Sequence, residues 1–352
     1  MRRVVRIAAY VPAGRSNEVP VAALDEDEFT LGATATERAW AAPREEPGAV
    51  VVHLVGDVPP AADWGYAALL GREVEVAHHG SGSGELVRAL RELEEGPGGP
   101  ALIVAAELPE RTPERGAAKS TASGAAAVAY LLKSSEEPGP FPLPKGSARG
   151  SAVRTTLRLG EPSKEAARAV TLVGDWGGEP GNRRTIERKV PKRTVDGELS
   201  VTSEGAYVPR ARYLENLPSR WRFIAEACSA CRGTTFPARG VCRRCGRADA
   251  LSPVHLPYDG GRVVAVTTVG KGGQPTEFDA QVEALGPYDV ALVELARGMR
   301  VTLQVTDSVP GELEVGDRVN TMLRRLYPME GEWRYGRKAV PAHPSRAPRK
   351  RN

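Results

Sequence analysis

Cys228, Cys231, Cys242 and Cys245 are the only cysteines of the chain, and they fall within eighteen residues as C-x2-C-x10-C-x2-C. A C-x2-C turn presents two thiolates to one ion while nearby backbone amides donate hydrogen bonds to the sulfurs, and two such turns complete a tetrahedron. Zinc, at about 2.3 Å from each sulfur, is the expected occupant. The same thiolates also suit iron, and a redox C-x-x-C pair is the bland alternative. With all four positions filled by protein, the ion has no place for water or substrate. Its role is then structural, and its binding free energy, on the order of 10 kcal/mol, goes into folding. Gly246, directly after Cys245, offers the permissive φ that a tight knuckle uses, and Gly233 lies two positions after Cys231.

Other chemistry-bearing residues are sparser. GSGSG (80–84) opens a helical run after a strand, the place where phosphate binds a helix terminus, yet it fits neither the dinucleotide fingerprint nor a P-loop with its Lys-Ser/Thr. His78 and His79 are adjacent on an expected strand, so they point to opposite faces and do not share a metal. An ordinary surface or packed place is expected for both. Asp175 in VGDWGG and Lys271 in GKGGQ stand in turn-forming sequence. No Ser-His-Asp signature is present.

The elements that must position these residues follow from periodicity. Residues 1–135 alternate between strand-like and helix-like runs: VVRIAAYVP (4–12), a helical DEDEFTLGATATERAW (25–40), AVVVHLVGDV (49–58), EVEVAHH (73–79), a helical GELVRALRELEE (84–95), ALIVAAEL (101–108) and ASGAAAVAYLL (122–132). Such alternation predicts an α/β layer with a mostly parallel sheet. Leu86, Leu90 and Leu93 recur at helical spacing and give the helix over 84–95 one apolar face for that sheet. Residues 136–207 shift to Pro, Gly and mixed charge and read as a connector, in which AVRTTLRL (152–159) and AVTLVGDW (169–176) are candidate edge strands.

A second unit begins near residue 208, with a helix and the cysteine ribbon over 208–250. HLPY (255–258), RVVAVTTV (262–269), DVALVELA (289–296), RVTLQVTD (300–307) and DRVNTMLRRL (317–326) then read as five short strands, which predicts an OB-like barrel over 251–335. Residues 336–352, ending in PAHPSRAPRKRN, read as a disordered basic tail.

The bulk numbers set limits. At 352 residues the chain exceeds one ordinary core, so two domains are expected. Lys and Arg total 48 against 44 Asp and Glu, a net charge of +4, which gives nucleic-acid binding little support. Aromatic residues make up 5%, too few for base stacking along a barrel groove. The start MRRVVRIAAYVPAGR has the outline of a signal peptide, but its apolar run is short and an acidic cluster at Asp25–Glu28 follows, so a first strand is expected instead. No stretch approaches the ~18 uncharged residues of a membrane span. A cytoplasmic location is expected, where reduced thiols favour metal over disulfides.

The run RYLENLPSRWRFIAEACSACRGTTFPARGVCRRCG, with GPYDVALVELARGMRVTLQVTD and LEVGDRV further on, resembles the acyl-CoA-associated zinc-ribbon plus OB-fold family, formerly a domain of unknown function. The resemblance spans about residues 205–335, and the Trp221-Arg222 pair and the Phe236-Pro237 step match its archaeal members. It implies a rubredoxin-like zinc ribbon behind a short helix, and a non-catalytic subunit beside a thiolase or hydroxymethylglutaryl-CoA synthase that helps hold acyl-CoA.

The first 135 residues resemble the amino-terminal half of a thiolase-superfamily enzyme of the hydroxymethylglutaryl-CoA synthase kind. The likeness rests on IAAYVP, DEDEFTLGATATERA, and VEVAHHGSGSGELVRALRELEEG followed by PALIVAAEL. In those enzymes the loop before the helix carries a cysteine activated by the helix dipole. Alignment on Ser83-Gly84 places Ser81 there, and residues 1–227 contain no cysteine. A serine hydroxyl would need a base, and the second thiolase half, which supplies the catalytic histidine and asparagine motifs, has no counterpart. The resemblance implies a degenerate, inactive half.

Together these readings imply a CoA-associated scaffold subunit that binds a thiolase-family enzyme in a hetero-oligomer. Arg220, Arg222 and Lys271 are the candidate cations for the phosphates of CoA. The alternatives are an acyl-CoA transferase or condensing enzyme using Ser81, and a nucleic-acid-binding ribbon and barrel protein.

Overall fold

Alternating apolar runs of the first 135 residues assemble into a six-stranded sheet: β1 (Arg2–Tyr10), β2 (Val50–Val55), β3 (Val74–His79), β4 (Ala101–Glu107), β5 (Ala126–Ser134) and β6 (Thr171–Gly174), in the order β3-β2-β4-β5-β1-β6. The computed structural model describes residues 1–16, 19–20, 25–40, 49–96, 99–108, 125–136, 153, 156, 170–174, 186–187, 208–329 and 331–342. The chain divides into two compact units, Met1–Gly181 with Thr185–Lys192, and Arg193–Asn352 with Asn182–Arg184.

In the first unit β2 runs parallel to β3 and β4, and β1 runs parallel to β6. β5 is antiparallel to both its neighbours, β4 and β1, so the sheet is mixed. Every residue of β5 from Ala126 to Leu132 is buried, which explains why AAVAYLL reads as a continuous apolar run and not as an alternation. Helices α1 (Glu28–Trp40), α2 (Ala62–Leu70) and α3 (Ser83–Glu95) belong to the same unit, as does a small three-stranded sheet of Gly14–Ser16, Val19–Pro20 and Ile186–Glu187. α2 is an element that periodicity did not announce.

Local chemistry fixes the start of α1. The Asp27 amide donates to Thr30 Oγ1 and the Thr30 amide donates to Asp27 Oδ1, each at 2.8 Å, a reciprocal cap that satisfies otherwise orphaned donors. Gly32 lets α1 approach closely, because a Cβ there would stand 2.6 Å from Tyr66 Oη and 2.8 Å from Val104 Cγ1. α3 lays Leu86, Ala89, Leu90 and Leu93 into a core with Ile7, Ile103, Val128 and Tyr130. The connector adds β6 at the sheet edge. Val153 and Thr156, the two described residues of AVRTTLRL, are helical and buried, which corrects the candidate strand there; Asp175 and most of 136–207 lie outside the described residues.

The second unit opens with α4 (Arg210–Glu215) and α5 (Leu217–Trp221). A three-stranded ribbon sheet follows, with β7 (Ile224–Cys228) between β8 (Thr234–Thr235) and β9 (Leu251–His255). Then come β10 (Gly261–Val269), helix α6 (Asp279–Leu285), β11 (Tyr288–Glu294), β12 (Arg300–Gln304), β13 (Arg318–Met329) and β14 (Glu332–Pro341), in one sheet ordered β12-β11-β10-β13-β14. Beyond β12, Val305 forms one parallel bridge to Ala339, and the Thr306 amide donates to Ala339 O at 2.9 Å. This is the partly open, five-stranded form of an OB barrel; among the described residues no ladder closes it.

Two strand assignments change. HLPY is not a barrel strand: Leu251–His255 belongs to the ribbon, with His255 opposite Ile224 and Leu251 opposite Cys228. The fifth barrel strand is β14, which runs through the boundary expected at 335. Its buried Arg337 and Lys338 disguised its second half as part of a basic tail; residues 343–352 lie outside the described residues. β14 also holds the opening helices, since Tyr213 Oη and Trp221 Nε1 both donate to Tyr335 O, at 2.9 and 3.0 Å. Phe223, Ala225, Phe236 and Leu256 of the ribbon share one core with Val263, Val293, Leu303 and Val319 of the barrel.

Candidate metal centre

The four cysteines converge. Cys228 ends β7, Cys231 follows in a turn, and Cys242 and Cys245 lie in the loop before β9, with all four Sγ atoms within 4.8 Å of one another. Cys228 Sγ is 3.7 Å from Cys245 Sγ, and Cys231 Sγ is 3.5 Å from Cys242 Sγ. Four sulfurs 2.3 Å from one tetrahedral ion stand about 3.8 Å apart, so the donor set fits zinc without rearrangement.

The two knuckles repeat one hydrogen-bond scheme. The Arg232 amide donates to Cys228 O and the Gly246 amide to Cys242 O, both at 2.9 Å; the Cys228 amide donates to Gly233 O and the Cys242 amide to Arg247 O, again at 2.9 Å. The left-handed residue of the second knuckle is Gly246 at φ 74°, as the sequence led us to expect, but that of the first is Arg232 at φ 59°. Gly233 has a different use. A Cβ there would lie 3.2 Å from Cys231 Sγ and 3.2 Å from Arg244 Cβ, so the glycine leaves room for the sulfur.

Electrostatics call for a cation at the centre. Backbone amides of Cys245 and Arg244 lower the Cys242 thiol to about 6. The amide hydrogen bond from Gly233 acts the same way on Cys231, yet burial and the three neighbouring thiols push that thiol up to about 12. Four sulfurs this close do not all ionise unless a divalent ion stands between them. Cys228, Cys231, Cys242 and Cys245 would hold a zinc ion, which would supply that charge and a cross-link between the knuckles.

The other residues singled out in the sequence are dispersed. Arg220 is exposed on α5 and acts on the Tyr327 hydroxyl, whose pKa is raised by burial and drawn back by that guanidinium. Arg222, half-buried, faces Tyr258 and His255 instead, and burial lowers its pKa. Lys271 stands exposed in the turn after β10. Near Arg220 the sequence reading missed an aromatic group: the Phe278 ring lies 5.4 Å from Tyr327 and 6.1 Å from Tyr288. These residues are far apart in sequence and scarce, so no local pattern marks them.

Ser81 is exposed and precedes α3, with Gly82 at φ 103° capping the helix. The buried hydroxyl at the helix start is that of Ser83, and its Oγ has no hydrogen-bond partner among the described residues. His78 and His79 take opposite faces of β3. His78 Nε2 meets Asp63 Oδ1 at 2.7 Å in the open, whereas His79 is buried.

A four-thiolate ribbon sharing a core with a five-stranded OB sheet defines a zinc-ribbon and OB-fold protein. No protein-family model matches the chain. It is 32% identical over 116 residues to a DUF35 domain-containing scaffold protein of Methanothermobacter thermautotrophicus, covering 33% of this chain and 81% of that protein. A second such scaffold protein, of Pyrococcus furiosus, is 30% identical over 134 residues, covering 37% of this chain and 91% of the relative. The chain belongs to the family of DUF35 domain-containing scaffold proteins. Among solved structures, the Ltp2-ChsH2(DUF35) aldolase is similar at 25% identity over 34% of this chain and 85% of that one, with a TM-score of 0.28. PksG, a hydroxymethylglutaryl-CoA synthase of Bacillus, is similar at 16% identity over 38% of this chain and 41% of that one, with a TM-score of 0.30. No described helix is long and apolar enough to cross a membrane.

Proposed function

We propose that the chain is a non-catalytic, CoA-associated scaffold subunit of the cytoplasm that binds a thiolase-like or hydroxymethylglutaryl-CoA-synthase-like enzyme and helps hold or channel acyl-CoA. The observation that carries this reading is the identity to scaffold proteins over most of their own length. Two features support it. The four cysteines converge as a set that would fill a metal's coordination sphere and leave no place for substrate, and the thiolase-like first half has no cysteine before residue 228.

In this reading zinc is structural, and the barrel side of the second unit receives the nucleotide end of CoA. Arg220 offers charge beside the half-buried Phe278 and Tyr327, a combination suited to a phosphate and a stacked purine. Arg222 and Lys271 are the further candidate cations.

Native purification tests the proposal. A thiolase-family enzyme is expected to co-purify in stoichiometric amount, and a strictly monomeric protein in the native extract would overturn the scaffold role. Arg220→Glu with Arg222→Glu is expected to weaken CoA binding by the assembled complex, and unchanged affinity removes both from the site. Acyl-CoA turnover by the isolated chain, abolished by Ser81→Ala, would instead establish an enzyme.

A further inference from the structure

The first unit contains a second convergence of ligand atoms. His53 lies on β2 and His79 ends β3. In the parallel register Val55 stands opposite His79, so His53, two residues earlier, projects from the same face. His53 Nδ1 and His79 Nε2 are 2.8 Å apart, with ring centroids separated by 4.7 Å. α3 crosses this face and brings Glu92, whose Oε2 is 3.9 Å from His53 Nδ1 and 4.0 Å from His79 Nε2.

We propose that His53, His79 and Glu92 form a second metal site, three-coordinate in protein ligands, for a divalent transition ion of the zinc class. Two imidazole nitrogens and one carboxylate oxygen are the donor set such ions take, and the fourth position is left to water or a small ligand. Donor atoms around one tetrahedral ion at about 2.0–2.1 Å stand about 3.3 Å apart. The observed 2.8, 3.9 and 4.0 Å bracket that separation. Both rings are buried, which favours the neutral imidazole, the form with one ring nitrogen able to ligate.

The surroundings are suited to a shift of the His79 proton from one ring nitrogen to the other when an ion binds. Without metal, Arg88 Nη2 lies 3.4 Å from His79 Nδ1, so Nδ1 accepts and the proton on Nε2 is donated to His53 Nδ1. An ion between the rings frees Nε2 and moves the proton to Nδ1, which faces Glu85 Oε2 at 4.0 Å, the carboxylate partner that orients a ligating histidine. Arg88 already binds Glu85 at 2.5 Å and approaches Glu92 only to 3.8 Å, so Glu92 can turn to an ion while Arg88 keeps its place on Glu85. Glu92 is half exposed and is the side from which an ion enters.

Metal content and cobalt(II) spectroscopy of the full-length protein test the site. Two equivalents of zinc are expected after dialysis against trace metal. His79→Gln and Glu92→Gln are each expected to lose one, with at least a tenfold loss of affinity and the four-thiolate signature intact. Cobalt(II) is expected to show a second, thiolate-free d–d band that vanishes in both variants. Because His79 is buried and its variant can misfold, Glu92→Gln, at a half-exposed position, is the deciding one. A single equivalent in the parent protein, or two equivalents retained by a folded Glu92→Gln variant, would overturn the proposal.

Discussion

The two units gather metal-type ligands in opposite ways. In the second, four cysteines within eighteen residues are folded into position by two short knuckles whose backbone bonds repeat each other. In the first, His53, His79 and Glu92 come from two strands and a helix, and only the finished sheet brings them together. The difference teaches where stability originates. The ribbon contributes few residues to the core it shares with the barrel and is expected to depend on an ion, whereas the α/β unit has a full core and is expected to hold its shape before any ion arrives.

The sharpest way to break this comparison is Cys242→Ser. Loss of one thiolate is expected to remove zinc and withdraw most of a binding free energy on the order of 10 kcal/mol from the second unit. Because ribbon and barrel share a core, the barrel unfolds with it. Zinc analysis alongside NMR would show collapse of second-unit signals while those of the α/β unit persist. A barrel that survives intact would mean that its own core suffices.

Leu90→Ala is the converse experiment. Leu90 is fully buried against the sheet of the first unit, and its truncation is expected to destabilise that unit by about 2–5 kcal/mol in denaturant titration. The four-cysteine zinc content should stay unchanged. A parallel loss of zinc would show that the two units fold as one.

What could be read from the sequence divides along the same line. The ribbon was legible because its geometry is local, and knuckle spacing alone implied that the four cysteines converge. The α/β class was legible from alternation, as was the apolar face of α3. The histidine pair was not. His78-His79 correctly implied opposite faces, but nothing near it points to His53, twenty-six residues earlier; strand register decides that, and register is a property of the sheet. β14 was missed for a different physical reason: its buried arginines and lysine find partners within the fold, so composition suggested solvent where the barrel provides enclosure.

A pH titration sharpens the contrast next. Burial lowers His53 to about 4 from the usual 6.5, with the adjacent His79 contributing, and His79 is lowered as well. A histidine whose folded pKa is depressed stays neutral in the fold, while the unfolded chain takes up its proton. The unfolded state then binds more protons, so stability is fully present above about pH 6.5 and falls as the pH drops toward 4. A loss on the order of 2 kcal/mol is expected for the first unit across this window in metal-free buffer. His53→Gln is expected to flatten the profile, and an unchanged slope in that variant would assign the acid sensitivity elsewhere.

The smallest effect is the most specific to the ribbon. Arg232 and Gly246 occupy equivalent positions one residue after the second cysteine of each knuckle, both with positive φ. Glycine takes that conformation freely, whereas an L side chain pays roughly 1 kcal/mol for it. Arg232→Gly is therefore expected to leave the fold unchanged and to tighten zinc binding by up to about fivefold, less whatever the freer unfolded chain takes back. Gly246→Ala is expected to weaken it by a similar factor. Competition with a zinc buffer reads both. Tighter binding from one and weaker from the other would establish that the knuckles are conformational equivalents with unequal strain. Weaker binding from Arg232→Gly would mean that the arginine side chain itself supports the first knuckle, and the equivalence would then stop at the backbone.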